Sequence, residues 1–200
     1  MSMNIKINEN YDNVKDSYLF SEIAKRVNKY VEENPDKKSS IIRLGIGDCT
    51  LPLTKTVITA MHKAVDEMSV KETFRGYPPE YGYDFLRNAI SKHYKSSGVE
   101  IKPEEIFVSD GAKSDCGNIV DILGDNTILI PDPVYPVYMD SNVMSGRHIE
   151  FISANKENNF LPMPYKLEVK PYVIYLCSPN NPTGATYNKE QLDEWIGFAK

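Results

Sequence analysis

Three short segments of this 200-residue chain carry residue types that can do chemistry on a bound molecule. One is Tyr175-Leu-Cys-Ser-Pro-Asn-Asn-Pro-Thr-Gly184. It follows an apolar stretch, 172–177, that reads as a buried strand, so its polar residues fall at a strand's C-terminal edge, where open α/β sheets bind ligands. Prolines on either side of Asn181 fix φ, and Gly184 permits an unusual turn, which predicts an amide held in one orientation. A turn that only joins strand to helix uses the same residue types. The second segment, Ser109-Asp-Gly-Ala-Lys-Ser-Asp115, leads from a strand into a helix N-terminus. Unsatisfied N–H groups and the helix dipole favour an anion there, with Gly111 allowing close approach and Ala112 and Lys113 offering N–H groups and a cation. A helix capped by Asp and Ser with nothing bound reads equally well. It lacks the spacing of a nucleotide-triphosphate loop. The third, Pro131-Asp-Pro-Val-Tyr-Pro-Val-Tyr138, places Tyr135 between prolines as a stiff surface on which a flat ring could stack, although such a tyrosine is more often core.

The elements that must position these segments follow from periodicity. Residues 20–33 put Ile23, Val27, Tyr30 and Val31 on one helical face, with Ser21 as an N-cap and Asn34-Pro35 as the stop. A short strand is expected at 41–44. Helices are expected at 55–68 and 84–96, separated by 73–82, which is too rich in Gly and Pro for regular structure. Strand and helix then alternate: strand 106–109, helix 112–123, strand 127–130, helix 134–144, strand 149–152, strand 172–177 and helix 189–200. Such alternation predicts an α/β fold with a largely parallel sheet flanked by helices.

Bulk properties bound the function. The chain is 41% hydrophobic and 26% charged, without low-complexity tracts, which is globular. A net charge of -5 and no Lys/Arg stripe argue against nucleic acid as a partner. The N-terminus lacks the apolar stretch of a signal peptide, and no apolar run is long enough for a membrane span. Cys49, Cys116 and Cys177 show no metal-ligand spacing, and reduced thiols in the cytoplasm fit best. The sequence stops inside its last helical pattern, so it reads as the front part of a longer protein.

In their order along the chain, the phosphate-type loop, aromatic plate and fixed amide resemble those of the fold-type I pyridoxal-phosphate aminotransferases. Five strings are similar to one branch of that family, the LL-diaminopimelate aminotransferases: Tyr18-Leu-Phe-Ser-Glu-Ile-Ala-Lys25, Leu44-Gly-Ile-Gly-Asp48, Phe107-Val-Ser-Asp-Gly-Ala-Lys-Ser-Asp115, Asp132-Pro-Val-Tyr-Pro-Val-Tyr138 and Cys177-Ser-Pro-Asn-Asn-Pro-Thr-Gly184. The likeness covers essentially all of the chain but about the first half of such an enzyme. It implies a fold-type I transferase architecture, with residues 1–70 as an N-terminal arm and the start of a small domain. Residues 71–200 would then be the first part of the large cofactor-binding domain. It implies pyridoxal 5'-phosphate as cofactor, amino-acid and 2-oxo-acid substrates, and a homodimer.

The resemblance also implies roles. Ala112 and Lys113 would hold the cofactor phosphate, Tyr135 would stack on the pyridine ring, and Asn181 would donate to its phenolic oxygen. Tyr77 would reach across a dimer interface to the partner's phosphate. Gly45 would lie beside the substrate α-carboxylate, while Tyr18 and Glu80 would face its far end, with Lys113, Tyr135 and Asn181 also lining the substrate. A carboxylate at Glu80 suits a distal ammonium. The family's Schiff-base lysine, its partner Asp for the ring nitrogen and its carboxylate-binding Arg fall beyond residue 200, so no catalytic residue is expected within this stretch. One loop departs from the family pattern. Where relatives resemble Gly-Tyr-Gly-Pro-Glu-Gln-Gly, this chain reads Gly76-Tyr-Pro-Pro-Glu-Tyr-Gly82, with Pro78 stiffening the backbone and Tyr81 adding bulk beside Glu80. The expected activity is LL-diaminopimelate:2-oxoglutarate transamination in lysine biosynthesis. A preference for aspartate or an aromatic amino acid, or a lysine-less relative without catalysis, are the alternatives.

Overall fold

The computed structural model describes residues 5–14, 19–44, 47, 49–164, 171 and 173–200. Its contacts divide into two compact units, Met1–Lys15 with Asp110–Lys200, and Asp16–Ser109.

The second of these units is helical. Helix α1 spans Leu19–Glu33, α2 Lys55–Met68 and α3 Asp84–Ser96. Ser21, expected as an N-cap, lies within the first turns of α1. The strand expected at 41–44 is absent from the described ladders: these residues are irregular, and Ile42 and Leu44 stand exposed. The strand expected at 106–109 is likewise irregular, and follows a short 3-10 turn at Pro103–Glu105. Val108 donates one backbone bond to the Tyr81 carbonyl, at 3.2 Å. A strand needs a whole ladder, and a single bond does not build one. What orders this region is Arg87 on α3, a buried guanidinium that donates to the carbonyls of Pro103 and Ile106 and pairs with Asp84. Burying a charge is tolerable because its donors are used in this way.

The other unit holds the sheet. Helix α4 spans Ala112–Ile122, strand β1 Ile128–Asp132, helix α5 Pro136–Met144, strand β2 Ile149–Ser153, strand β3 Val173–Ile174 and helix α6 Lys189–Ala199. The strands are parallel in the order β2-β1-β3, with Ile128 opposite both Ile149 and Val173. As the middle strand, β1 is covered on both faces, and Ile128, Leu129 and Ile130 are fully buried. Alternation sends Leu129, Ile152 and Ile174 to one face, where they pack with Tyr187 and with Trp195, Leu192 and Phe198. Tyr175 points to the other face and stacks on Tyr138 of α5. The expected parallel sheet with helices on both faces is therefore present. Two elements are shorter than expected. Helix α5 begins at Pro136, two residues after the expected start, because Tyr135 keeps an extended backbone at its N-cap. The ladder of β3 covers Val173–Ile174, although Tyr175 still donates to the Leu129 carbonyl at 3.0 Å.

Candidate functional site

Four of the expected functional residues, Ala112, Lys113, Tyr135 and Asn181, share the sheet-bearing unit. Gly111 caps α4 with φ 143, a conformation that L side chains rarely adopt. The first bonds of the helix run from the N–H groups of Ser114 and Asp115 to the Gly111 carbonyl, at 3.1 and 3.3 Å. The N–H groups of Ala112 and Lys113 precede those bonds and stay available to an anion. A Cβ built on Gly111 would meet nothing within 4 Å, so space is open in front of this turn. The Lys113 side chain is exposed beside it.

Tyr135 stands just beyond the C-terminal end of β1. Its ring is met edge-on by Tyr138, with centroids 5.9 Å apart and planes at 86°. Tyr138 in turn stacks on Tyr175 at 5.1 Å. The Cys177 thiol donates to the Pro179 carbonyl at 3.2 Å. Burial first, then the neighbouring Cys177 thiol, pushes the Tyr138 phenol up to about 12. Burial also raises the Cys116 thiol, with Asp115 and Cys177 adding to the effect. Among the described residues, the buried hydroxyl of Tyr175 lacks a hydrogen-bond partner.

The raised phenol has a measurable consequence. Below about pH 10 the group is neutral whether the chain is folded or not. Between about pH 10 and about pH 12 the unfolded phenol ionises while the folded one keeps its proton, so stability falls as pH rises through that window. Tyr138→Phe should therefore lose less of its urea midpoint between about pH 9 and about pH 11 than the wild type loses. Equal losses in the two proteins would remove Tyr138 from this account.

The amide loop differs from its expected form in one respect. The prolines beside Asn181 were expected to hold its amide, yet Asn181 is exposed and makes no hydrogen bond to another described residue. The anchored side chain is its neighbour. Asn180 is 9% exposed and donates from Nδ2 to the Pro133 carbonyl at 3.1 Å and to Thr183 Oγ1 at 3.0 Å. Its backbone closes the turn, with Asn180 N–H donating to Ala185 and Gly184 N–H donating to Asn180, at 2.8 and 2.7 Å. Gly184 has φ 73, which explains the glycine. Ser178 Oγ accepts from the Tyr187 N–H at 3.1 Å and closes the far side. Asn181 is thus presented to solvent from a loop fixed by other residues.

The Asn180–Pro133 bond brings the loops of Tyr135 and Asn181 together beyond the C-terminal ends of β1 and β3, and the α4 N-terminus belongs to the same unit. Tyr77 and Glu80 belong to the helical unit, where both are exposed. The Tyr81 ring lies edge-on to Phe107 at 5.3 Å and under the Arg87 guanidinium at 5.4 Å. Tyr18 and Gly45 lie outside the described residues. Sequence reasoning missed Asn180, Tyr138 and Cys177. The spacing of Tyr135 and Tyr138 by three residues at the start of the expected helix was the one available signal.

The unit is an α/β fold with a parallel sheet, and a helix N-terminus of the kind that suits an anion and an exposed amide loop beyond the strand ends are features with which such folds hold phosphorylated ligands. The sequence profile of the family described as aminotransferase class I and II matches residues 39–200. The chain belongs to this family. It is 53% identical to the LL-diaminopimelate aminotransferase of Parabacteroides distasonis over 205 residues, covering 96% of this chain and 49% of that protein. It is 52% identical to the LL-diaminopimelate aminotransferase of Prochlorococcus marinus over 208 residues, covering 98% and 50%. The solved structure of L,L-diaminopimelate aminotransferase from Chlamydomonas reinhardtii superposes with a TM-score of 0.85 at 38% identity, covering 100% of this chain and 51% of that one. The chain thus spans about half the length of the curated relatives it matches. Class I and II aminotransferases depend on pyridoxal 5'-phosphate. The residues present fit that cofactor: beside the open space at Gly111 stand two available N–H groups and the exposed Lys113, donors suited to an anionic phosphate.

Proposed function

We propose that the full-length protein is a cytoplasmic, homodimeric aminotransferase that exchanges the amino group of LL-diaminopimelate with 2-oxoglutarate in lysine biosynthesis. The observation that carries this reading is the tie between the Tyr135 loop and the Asn181 loop beyond the ends of β1 and β3, in the unit that also holds the α4 N-terminus. Identity of about half to curated LL-diaminopimelate aminotransferases supports the choice of substrate. Among the described residues, no helix is long and apolar enough to cross a membrane.

Pyridoxal phosphate, when bound, supplies a conjugated system able to take up the electrons released at the substrate α-carbon. In this reading the N–H groups of Ala112 and Lys113 hold its phosphate, with the Lys113 ammonium adding charge. Tyr135 covers one face of the ring and keeps water from it. Asn181 donates an N–H to the ring's phenolic oxygen and favours the ionised form. Tyr77, fully exposed on its loop, is free to reach the phosphate bound by a partner subunit. Gly45, Tyr18 and Glu80 are assigned to the substrate, with Glu80 taking the distal ammonium. The covalent lysine, the Asp for the ring nitrogen and the carboxylate-binding Arg belong to the part of the family's length that this chain does not span. Residues 1–70 are assigned to the arm and small domain, and 71–200 to the large domain.

Pro78 and Tyr81 motivate the rival reading, with aspartate or an aromatic amino acid as donor. The contacts of Tyr81 with Phe107 and Arg87 engage part of that added bulk within its own unit. Turnover of LL-diaminopimelate, aspartate and tyrosine by the full-length protein decides between them. A clear preference for LL-diaminopimelate is expected, and preference for either of the others overturns the assignment.

A further inference from the structure

We infer that Asn180 is a positioning residue of this site: its side-chain amide clasps the loop presenting Asn181 to the loop presenting Tyr135, and so fixes the amide relative to the aromatic plate. The inference rests on the reading of Asn181 and Tyr135 as cofactor contacts.

A residue that only shaped a turn would bond within its own loop. Asn180 does that through Thr183 Oγ1, but its other amide bond crosses to the Pro133 carbonyl, 47 residues earlier in the chain. Pro133 lies two residues before Tyr135, between the end of β1 and the N-cap of α5. An amide carries two N–H donors, and these bonds occupy both. The Nδ2 group therefore has no freedom to rotate without breaking a bond in a largely dehydrated position. Thr183 is itself held, since its Oγ1 also accepts from the Ala185 N–H at 3.3 Å. A stack runs alongside: Tyr138 meets the Tyr135 ring edge-on and lies against Tyr175, which leads into the amide loop. With Asn181 making no hydrogen bond of its own to a described residue, its placement depends on these neighbours.

The test uses the full-length protein loaded with pyridoxal phosphate. The pH midpoint of the bound cofactor's visible band reports on the donor at its phenolic oxygen, which a merely structural change elsewhere would leave in place. Asn180→Ala is expected to raise the midpoint by about one unit, towards that of Asn181→Ala, and to weaken cofactor affinity about tenfold. Thr183→Val, which removes one of the two acceptors, is expected to shift the midpoint in the same direction by less. It carries the test if Asn180→Ala fails to fold. In an Asn181→Ala background, Asn180→Ala should move the midpoint no further, because the group it positions is gone. A wild-type midpoint in the single variants overturns the inference, as does an additive shift in the double variant. A wild-type protein that binds no pyridoxal phosphate overturns the functional reading and this inference together, whereas an unmoved midpoint in a protein that binds it overturns the inference alone.

Discussion

Full-length protein carrying Asn181→Ala is expected to turn over about a hundredfold more slowly in kcat, with a much smaller change in KM. Asn181 is the donor assigned to the phenolic oxygen of the cofactor, where charge is held while the substrate α-proton is removed. Removing one preorganised donor from such a position costs on the order of 10²–10³ in rate. The loop around it is prepared in advance: Asn180 is bonded to Pro133 and Thr183, Gly184 takes the left-handed turn, and Ser178 receives the Tyr187 N–H. Because Asn181 is exposed and has no described partner to lose, its removal should leave the fold almost untouched. The effect is therefore a rate effect, and thermal unfolding of the variant serves as the control. Rapid-mixing measurement of the half-reaction with LL-diaminopimelate reads it directly. A kcat within threefold of wild type, or a loss confined to KM, would falsify the role given to this amide.

The largest loss of stability is expected at Trp195. This side chain is 2% exposed and packs with Leu129, Ile152 and Tyr187 against the face of the sheet opposite α5. Phe198 meets its ring edge-on at 6.0 Å. Truncating a buried tryptophan to alanine removes its apolar contacts and leaves a cavity, so Trp195→Ala should cost about 3–5 kcal/mol in urea unfolding. The indole also donates to the buried Pro162 carbonyl at 3.2 Å, and the Tyr187 hydroxyl donates to the same oxygen at 2.8 Å. Either donor alone satisfies that oxygen. Trp195→Phe, with the apolar volume largely kept, should thus cost about 1 kcal/mol, as should Tyr187→Phe. The double substitution leaves a buried carbonyl orphaned, and should cost more than the sum of the single ones by about 1 kcal/mol or more. Strict additivity would show that water reaches Pro162 and that the carbonyl was never dry.

Much of this fold was legible in periodicity, and the exceptions share a cause. Helices α2, α3, α4 and α6 lie where their apolar spacing places them, because a helix closes its hydrogen bonds within a few residues of itself. Residues 41–44 and 106–109 have strand-like composition but no described ladder, since a strand depends on a partner that composition does not specify. Likewise at the site, the cradle at Gly111–Lys113 and the plate at Tyr135 sit on local signals, namely a glycine before a helix and a tyrosine between prolines. The clasp at Asn180 could not be read, because what distinguishes it from Asn181 is a carbonyl 47 residues away. The edge-on contact of Tyr81 with Phe107, 26 residues on, was equally hidden from local signals.

The carbonyl shared by Trp195 and Tyr187 has a dynamic consequence. Tyr187 ends the segment that begins at Ser178, and Trp195 is the buried anchor of the helix that follows, so both are moored to one oxygen of the chain. Neither can swing outward without straining the mooring of the other. The amide loop and α6 should accordingly open as a single cooperative unit, with their backbone protons exchanging together rather than the loop fraying first. A rim that would otherwise be the most mobile part of a binding edge thereby takes on the slow breathing of the core.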